Sequence, residues 1–267
     1  MPTRPLPLAD CPRTALAPVR GVLTDIDDTL TRDGTIEPAA LDALARLRAA
    51  GLPVIAITGR PMGWSEPFAR AWPIDAIVAE NGAVALFMEG AALRIEYAQD
   101  EATRARNGER LRAVAARLLV ELPGATLARD SAGRVTDIAV DHAEFAQLEP
   151  ARIAQVLALM RQEGMNATVS SIHVNGWFGS HDKLSGARWI VARRLARRLD
   201  DEHASWVYVG DSPNDQQMFG HFALSVGVAN LRQFAAALHT WPAWITAAER
   251  GAGFAELAET LLAARRP

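Results

Sequence analysis

The chain has 267 residues, enough to bury a full core as one large domain or two unequal ones. Apolar residues make up 49% and charged residues 22%, a globular balance that excludes a disordered, collagen-like or membrane-embedded class. The 28 basic residues against 31 acidic ones leave a net charge of −3, which gives no bulk electrostatic drive toward nucleic acid, and the single Cys11 precludes an intramolecular disulfide.

Residues 1–18 carry Pro2, Pro5, Pro7, Pro12 and Pro18 without an apolar core of signal-peptide length, which predicts a flexible extension that is neither export signal nor anchor. No later stretch approaches 18 consecutive uncharged apolar residues, so no membrane partner is expected and a cytoplasmic location follows by default. Next, the β-type run Val22-Leu23-Thr24 ends abruptly in Asp25-Ile26-Asp27-Asp28-Thr29. In extended chain, side chains repeat every second residue, so Asp25 and Asp27 can face one small volume while Ile26 turns into the core. At roughly 4 Å and an effective dielectric near 20 their repulsion is about 4 kcal/mol, which calls for a protonated partner or a cation. Carboxylate oxygens suit magnesium.

Pro38 opens a helix with Leu41, Leu44 and Leu47 on one face, and Gly51 stops it. The buried-strand run Pro53 to Ile57 ends in Thr58-Gly59-Arg60-Pro61, and a further helix leads to the short strand Ala76-Ile77-Val78. This alternation predicts a parallel sheet. At Glu80-Asn81-Gly82 the pattern changes to short alternating strands, such as Arg134 to Val140, with helices near 101–121 and 150–163. The expectation is an α/β chain whose core, residues 19–82 and 180–267, is split by an α+β cap inserted at 83–179. After Lys183 a helix carries Leu184, Ala187, Val191, Leu195 and Leu199 on one side, with its arginines on a solvated face. The strand Trp206 to Val209 then runs into a second acidic loop, Gly210-Asp211-Ser212-Pro213-Asn214-Asp215, and Phe254 to Leu262 reads as a covering helix. Ligands of parallel α/β sheets gather beyond the carboxyl ends of strands, so the two acidic loops are expected to converge on one metal.

Asp25-Ile26-Asp27-Asp28-Thr29, Thr58, Lys183 and Gly210-Asp211-Ser212-Pro213-Asn214-Asp215 resemble the four ordered motifs of the haloacid dehalogenase superfamily. Ala79-Glu80-Asn81-Gly82-Ala83 resembles the turn at which members with a large cap leave their Rossmann-like core, as in the sucrose-phosphatase and mannosyl-3-phosphoglycerate phosphatase branch. The resemblance implies a magnesium-dependent phosphomonoesterase. It makes Asp25 the nucleophile of an aspartyl-phosphate pathway and Asp27 the general acid/base. It also implies that Asp25, the backbone carbonyl of Asp27 and Asp211 hold the metal, with Asp215 supporting the water shell. Thr58 and Lys183 then neutralise and orient the transferring group, while Gly59, Arg60 and Asn214 line the phosphate site. Asp28 stands where many relatives have glycine.

Caps of this kind read the leaving group, which places specificity between about 83 and 180. In Ser170-Ser171-Ile172-His173-Val174-Asn175-Gly176-Trp177, polar and aromatic groups alternate, so His173 and Asn175 are candidates to bind sugar hydroxyls beside a flat Trp177 face. A sugar phosphate or glycosyl-phosphoglycerate is the expected substrate. A phosphoglycolate phosphatase competes with it and needs a cation for its substrate's carboxylate, from Arg60, Arg129 or Arg134. A phosphomutase or a non-catalytic metabolite-binding module completes the alternatives. A small phosphorylated metabolite is the expected partner, with the chain a monomer or homodimer.

Overall fold

Four apolar runs set the main sheet. Gly21–Thr24, Val54–Ile57, Ala76–Ala79 and Trp206–Gly210 are fully buried strands, and near-continuous apolar sequence is what strands covered on both faces require. The structure, a computed structural model, describes residues 4–265. In chain order the strands are β1 (Leu6–Pro7), β2 (Gly21–Thr24), β3 (Thr31–Arg32), β4 (Thr35–Ile36), β5 (Val54–Ile57), β6 (Ala76–Ala79), β7 (Val84–Glu89) and β8 (Ala92–Tyr97). They continue as β9 (Thr126–Leu127), β10 (Asp137–Asp141), β11 (Asn166–Val169), β12 (His173–Trp177), β13 (Trp206–Gly210), β14 (Leu224–Gly227) and β15 (Trp244–Ile245). The helices are α1 (Arg13–Leu16), α2 (Pro38–Ala49), α3 (Met62–Ala71), α4 (Glu101–Glu121), α5 (Pro150–Gln162), α6 (Lys183–Leu195), α7 (Gln216–His221) and α8 (Arg250–Ala264).

The main sheet has nine strands in the order β1-β15-β14-β13-β2-β5-β6-β7-β8. All pairs from β1 to β6 are parallel, and β7 and β8 continue it antiparallel. Side-chain alternation sorts the two faces. Val22, Val54, Ala56, Val207 and Val209 pack with α1, α2, α3 and α8. Leu23, Ile55, Ile57, Trp206 and Tyr208 pack with α6 and α7. A second sheet, antiparallel in the order β11-β12-β10-β9, carries α4 and α5 on its apolar face through Val140, Val174, Leu111, Leu118, Val156 and Met160. Its opposite face presents Asp137, Asp141, His173 and Asn175, all buried.

Three local expectations need correction. Residues 4–18 are packed rather than flexible, since β1 pairs with β15 while Leu8, Cys11 and Leu16 enter the main core. Pro5 and Pro7 have no N–H to offer on the free side of β1, which blunts that sheet edge. The cap does not begin at 83, because β7 hydrogen-bonds to β6 and β8 to β7, so both belong to the main sheet. Finally, Leu41 stays exposed, since Ala40 and Ala43 complete the buried stripe with Leu44 and Leu47.

One close approach fixes where α6 starts. A Cβ on Gly186 would lie 2.6 Å from the Gly82 Cα and 3.0 Å from the Val78 side chain. Gly82 itself holds φ +109° with the Asp182 carbonyl 2.1 Å from where its Cβ would be. Gly186→Ala is therefore expected to destabilise the fold by about 1–3 kcal/mol through overpacking, read as a lower denaturant midpoint at unchanged slope.

Candidate active site

The register of the sheet assembles the site. Thr24 lies opposite Val209 and Ala56, so the segments that leave β2, β13 and β5 emerge side by side with Asp25, Asp211 and Thr58 at their exits. The Asp25 N–H continues the ladder to the Val209 carbonyl at 2.9 Å. Ile26 is fully buried, and its carbonyl accepts from the N–H groups of Thr29, Leu30 and Thr31, which forces the chain to turn at the acids. Lys183 is the first residue of α6, behind an Asp182 cap whose side chain accepts from the Ser185 N–H while the Ser185 hydroxyl accepts from the Asp182 N–H. From there its Nζ donates to Asp25 Oδ1 at 2.9 Å and Asp215 Oδ1 at 2.7 Å.

Asp25, Asp211 and Asp215 bring carboxylate oxygens within 4.8 Å of one another, and all three are buried. Three carboxylates thus stand against the one Lys183 ammonium, which pairs with two of them, Asp25 and Asp215. That imbalance explains why burial works against both partners of the Lys183–Asp25 pair, yet their proton affinities both rise. Lys183 has two acids beside it, and they overcome its desolvation. Asp25 is pushed up to about 7 by burial, which the single lysine only partly offsets and Asp215 reinforces. Burial and the charges of Asp25 and Asp215 drive Asp211 well above the usual carboxylate range.

The donor set discriminates among the three acids. Asp215 Oδ1 accepts from Lys183 and the Tyr208 hydroxyl, and its Oδ2 accepts from the N–H groups of Asp211 and Ser212. It is an anchor for the loop. Asp211 Oδ2 meets only Asn230 Nδ2 at 3.4 Å, while Oδ1 is buried without any hydrogen-bond partner. A fully buried, unpaired carboxylate oxygen facing further carboxylates is the environment a hard divalent cation satisfies, so these residues fit magnesium.

Asp27 does not share that cluster, contrary to the simple alternation argument. Its two oxygens accept from Arg60 Nε at 3.0 and 3.1 Å. The two neighbouring acids thus each have a cation of their own, Lys183 for Asp25 and Arg60 for Asp27. Thr58 is fully buried, and its hydroxyl oxygen accepts from the Arg60 N–H at 3.0 Å, leaving the hydroxyl proton for a ligand. The Gly59 carbonyl accepts from Arg134 Nη1 at 3.0 Å and Asn175 Nδ2 at 3.2 Å, which pins this loop to the second sheet. Asn214 accepts from the Ser212 hydroxyl and shapes the acidic loop.

The cap candidates occupy a different place from the one expected. His173 Nε2 lies 2.9 Å from Glu144 Oε2, and the Asn175 Nδ2 donates to the Gly59 carbonyl and Asp137. Trp177 is buried, donating to the His181 carbonyl and stacking on the His181 ring. These side chains build a polar seam between the two sheets instead. Glu80, read in the sequence as part of a turn, Arg134, read as a candidate cation, and Glu144, which pattern reading passed over, complete it. The fully buried Glu80 accepts from the N–H groups of Met62, Val135 and Thr136 and from the Thr136 hydroxyl. Arg134 pairs with Asp130 and Asp137. Burial pushes Asp137 up to about 7 despite Arg134, with Glu80 adding to the rise. Glu144, on the loop after β10, opposes its own burial with hydrogen bonds from His173 and Arg60 that bring it down to about 2.

Residues 22–105 match the family model of haloacid dehalogenase-like hydrolases. Over that segment the chain resembles the hydrolases of the haloacid dehalogenase superfamily. No curated protein sequence matches it. Among solved structures, Thermoplasma acidophilum 0175 superposes with a TM-score of 0.69 at 15% identity, covering 91% of this chain and 98% of that one. The sucrose-phosphatase of Synechocystis sp. PCC6803 gives 0.63 at 16% identity, over 90% of this chain and 97% of its own. A sugar phosphatase of haloacid dehalogenase subclass IIB gives 0.60 at 17%, over 91% and 96%. At such identities the likeness is one of fold. Among the described residues no helix is long and apolar enough to cross a membrane.

Proposed function

We propose that the protein is a magnesium-dependent phosphomonoesterase acting on a small phosphorylated sugar through an aspartyl-phosphate at Asp25. The observation that carries this is the Asp25–Asp211–Asp215 cluster, in which Lys183 pairs with Asp25 and Asp215 while one Asp211 oxygen is buried and unpaired. The sugar class is supported by structural neighbours that are sugar and sucrose phosphatases.

Asp25, Asp211 and the Asp27 carbonyl would hold magnesium, which would supply charge neutralisation for the transferring group. Asp25 attacks phosphorus, and the ester oxygen leaves with a proton from Asp27. Asp27 then takes a proton from water, the resulting hydroxide attacks the acyl phosphate, and inorganic phosphate departs with Asp25 regenerated. Lys183 holds the Asp25 carboxylate in line, and the Thr58 hydroxyl donates to an equatorial oxygen that gains charge at the transition state. The closed seam of Glu80, Arg134 and Asn175 keeps the Gly59–Arg60 loop in place and limits water.

The test is phosphate release across sugar phosphates, glycosyl-phosphoglycerates, phosphoglycolate and nucleotides, with magnesium and with chelator. Magnesium-dependent release that chelation abolishes is expected, with sugar phosphates the best substrates. Release undiminished by chelator would overturn the metal assignment, and the absence of release from every ester would overturn the activity.

A further inference from the structure

Arg60 is buried to 3% exposure at the boundary of the two sheets, with its guanidinium 4.9 Å above the Trp64 ring. A guanidinium has five N–H donors in a fixed fork. Here Nε faces both oxygens of Asp27, and Nη2 faces Asp27 Oδ1 at 2.9 Å and Glu144 Oε1 at 2.7 Å. Nη1 faces Asp130 Oδ2 at 3.3 Å and Glu144 Oε2 at 3.2 Å. Four of the five donors hydrogen-bond to three carboxylates, Glu144 taking two of them, and Nη2 is also in ion-pair contact with Asp27.

Arg60 borders a cavity of about 420 Å³ that opens beside Asp27, of a size suited to a small metabolite. Asp27, Asp28, Asp33 and Glu144 line it, against two cations, Arg60 and Arg250. Arg250 is likewise engaged, with Nε on Asp28 at 2.7 Å and Nη1 near Glu249 at 3.5 Å. Neither alternative arginine relieves this. Arg134 is consumed by Asp130, Asp137 and the Gly59 carbonyl, and Arg129 stacks on Phe145 without lining the cavity. The leaving-group space therefore presents four carboxylates against two guanidinium groups, each of them already paired with an acid. Its carboxylates accept from hydroxyl groups, while Phe145 and Phe234 offer apolar faces to a ring.

We infer that Glu144 is a specificity-determining residue that rejects leaving groups bearing an anion, by filling with its own carboxylate the Arg60 donors such a group would need; this rests on the phosphatase reading above. Phosphoglycolate and glycosyl-phosphoglycerates bring a carboxylate into like charge, whereas a neutral hydroxyl-rich sugar finds acceptors. Glu144→Gln preserves shape while removing the charge and loosening its claim on the Nη1 and Nη2 donors. Glu144→Ala removes the side chain altogether and serves as the second variant.

The experiment is calorimetric binding of glucose 6-phosphate and of phosphoglycolate to the magnesium-loaded Asp25→Asn protein, alone and with each Glu144 substitution. The starting protein is expected to favour the sugar phosphate by at least about tenfold, and each substitution to shrink that ratio by about tenfold or more. Equal or tighter binding of phosphoglycolate, no binding of either ester, or a ratio unmoved in both variants would overturn the inference. Hydrolysis of p-nitrophenyl phosphate by the protein with Asp25 intact tests the activity separately. If this ester is hydrolysed and the ratio stays fixed, only the role of Glu144 fails. If it is not hydrolysed but the ratio shifts as expected, the charge selection stands and the phosphatase reading fails.

Discussion

Asp25→Asn is expected to lower turnover by on the order of 10⁴–10⁶-fold, the scale on which removal of a covalent nucleophile acts, without unfolding the protein. An amide oxygen still accepts from Lys183 Nζ, now 2.9 Å from Asp25 Oδ1, so the local contact survives. What disappears is one of the two buried carboxylates that share that ammonium, beside a third at Asp211. Because burial already raises Asp25 to about 7, its ionised form is the strained one in the folded chain. The linkage has a definite sign. A carboxyl with a raised folded value holds its proton in the native state after the unfolded chain has lost it, so stability falls as pH climbs from about 4 toward 7. In chelator, the Asp25→Asn protein should therefore match the parent near pH 5 and unfold at an equal or higher temperature at pH 8. Phosphate release and thermal melts at the two pH values check both halves. Retained turnover in a folded variant would remove Asp25 from the nucleophile's role, and a large loss of stability at pH 8 would contradict the charge account.

Local pattern carried much of the core. Val54–Ile57, Ala76–Ala79 and Trp206–Gly210 are short apolar runs between helices, and each is a buried parallel strand. The acids at the exits of β2 and β13 meet because those strands are neighbours, although β5, β6 and the inserted region separate them in the chain. Lys183 was harder to place by spacing, since only the capped start of α6 and the Gly186–Gly82 contact bring its amine to Asp25.

The seam between core and cap was much less legible. In Asp137-Ile138-Ala139-Val140-Asp141 the alternation of one polar and one apolar face is plain, but nothing local says that the polar face meets protein rather than water or ligand. His173 and Asn175 show the consequence. Their spacing correctly puts them on one face of β12, and the partners that consume them, Glu144, Asp137 and Gly59, come from 29, 38 and 116 residues away. Glu80 was readable as part of a turn, yet its role as acceptor for two cap N–H groups depends on a contact across 55 and 56 residues. The edge strands failed for a related reason. β7 and β8 look like any hairpin in sequence, and only the pairing of β7 with β6 assigns the hairpin to the main sheet.

Lys183→Met tests the opposite side of the same charge imbalance. Methionine fills a similar volume but leaves Asp25 and Asp215 without the ammonium that lies 2.9 and 2.7 Å from them. Removing one member of a buried, hydrogen-bonded ion pair costs about 3–5 kcal/mol, because the surviving charge is stranded. Asp215 remains partly supported by Tyr208 and two backbone N–H groups, so the larger share of the strain falls on Asp25 and Asp211. Both can escape by taking up protons, which the folded state already favours. The penalty should thus be small at pH 5 and grow as pH rises through 7, the same linkage sign as before with a greater amplitude. A divalent cation offers a second escape. At a magnesium concentration about 100 times its dissociation constant, binding to the native state alone returns about 2.7 kcal/mol, so magnesium should stabilise the variant most where the pH is highest. Turnover should nonetheless stay down by about 10²–10³-fold, since a divalent ion restores charge balance without restoring the donor that orients Asp25. Thermal melts across pH 5–8, with chelator and with magnesium, separate these effects. A penalty independent of both pH and magnesium would mean that lost packing, rather than the three carboxylates, determines the stability of this site.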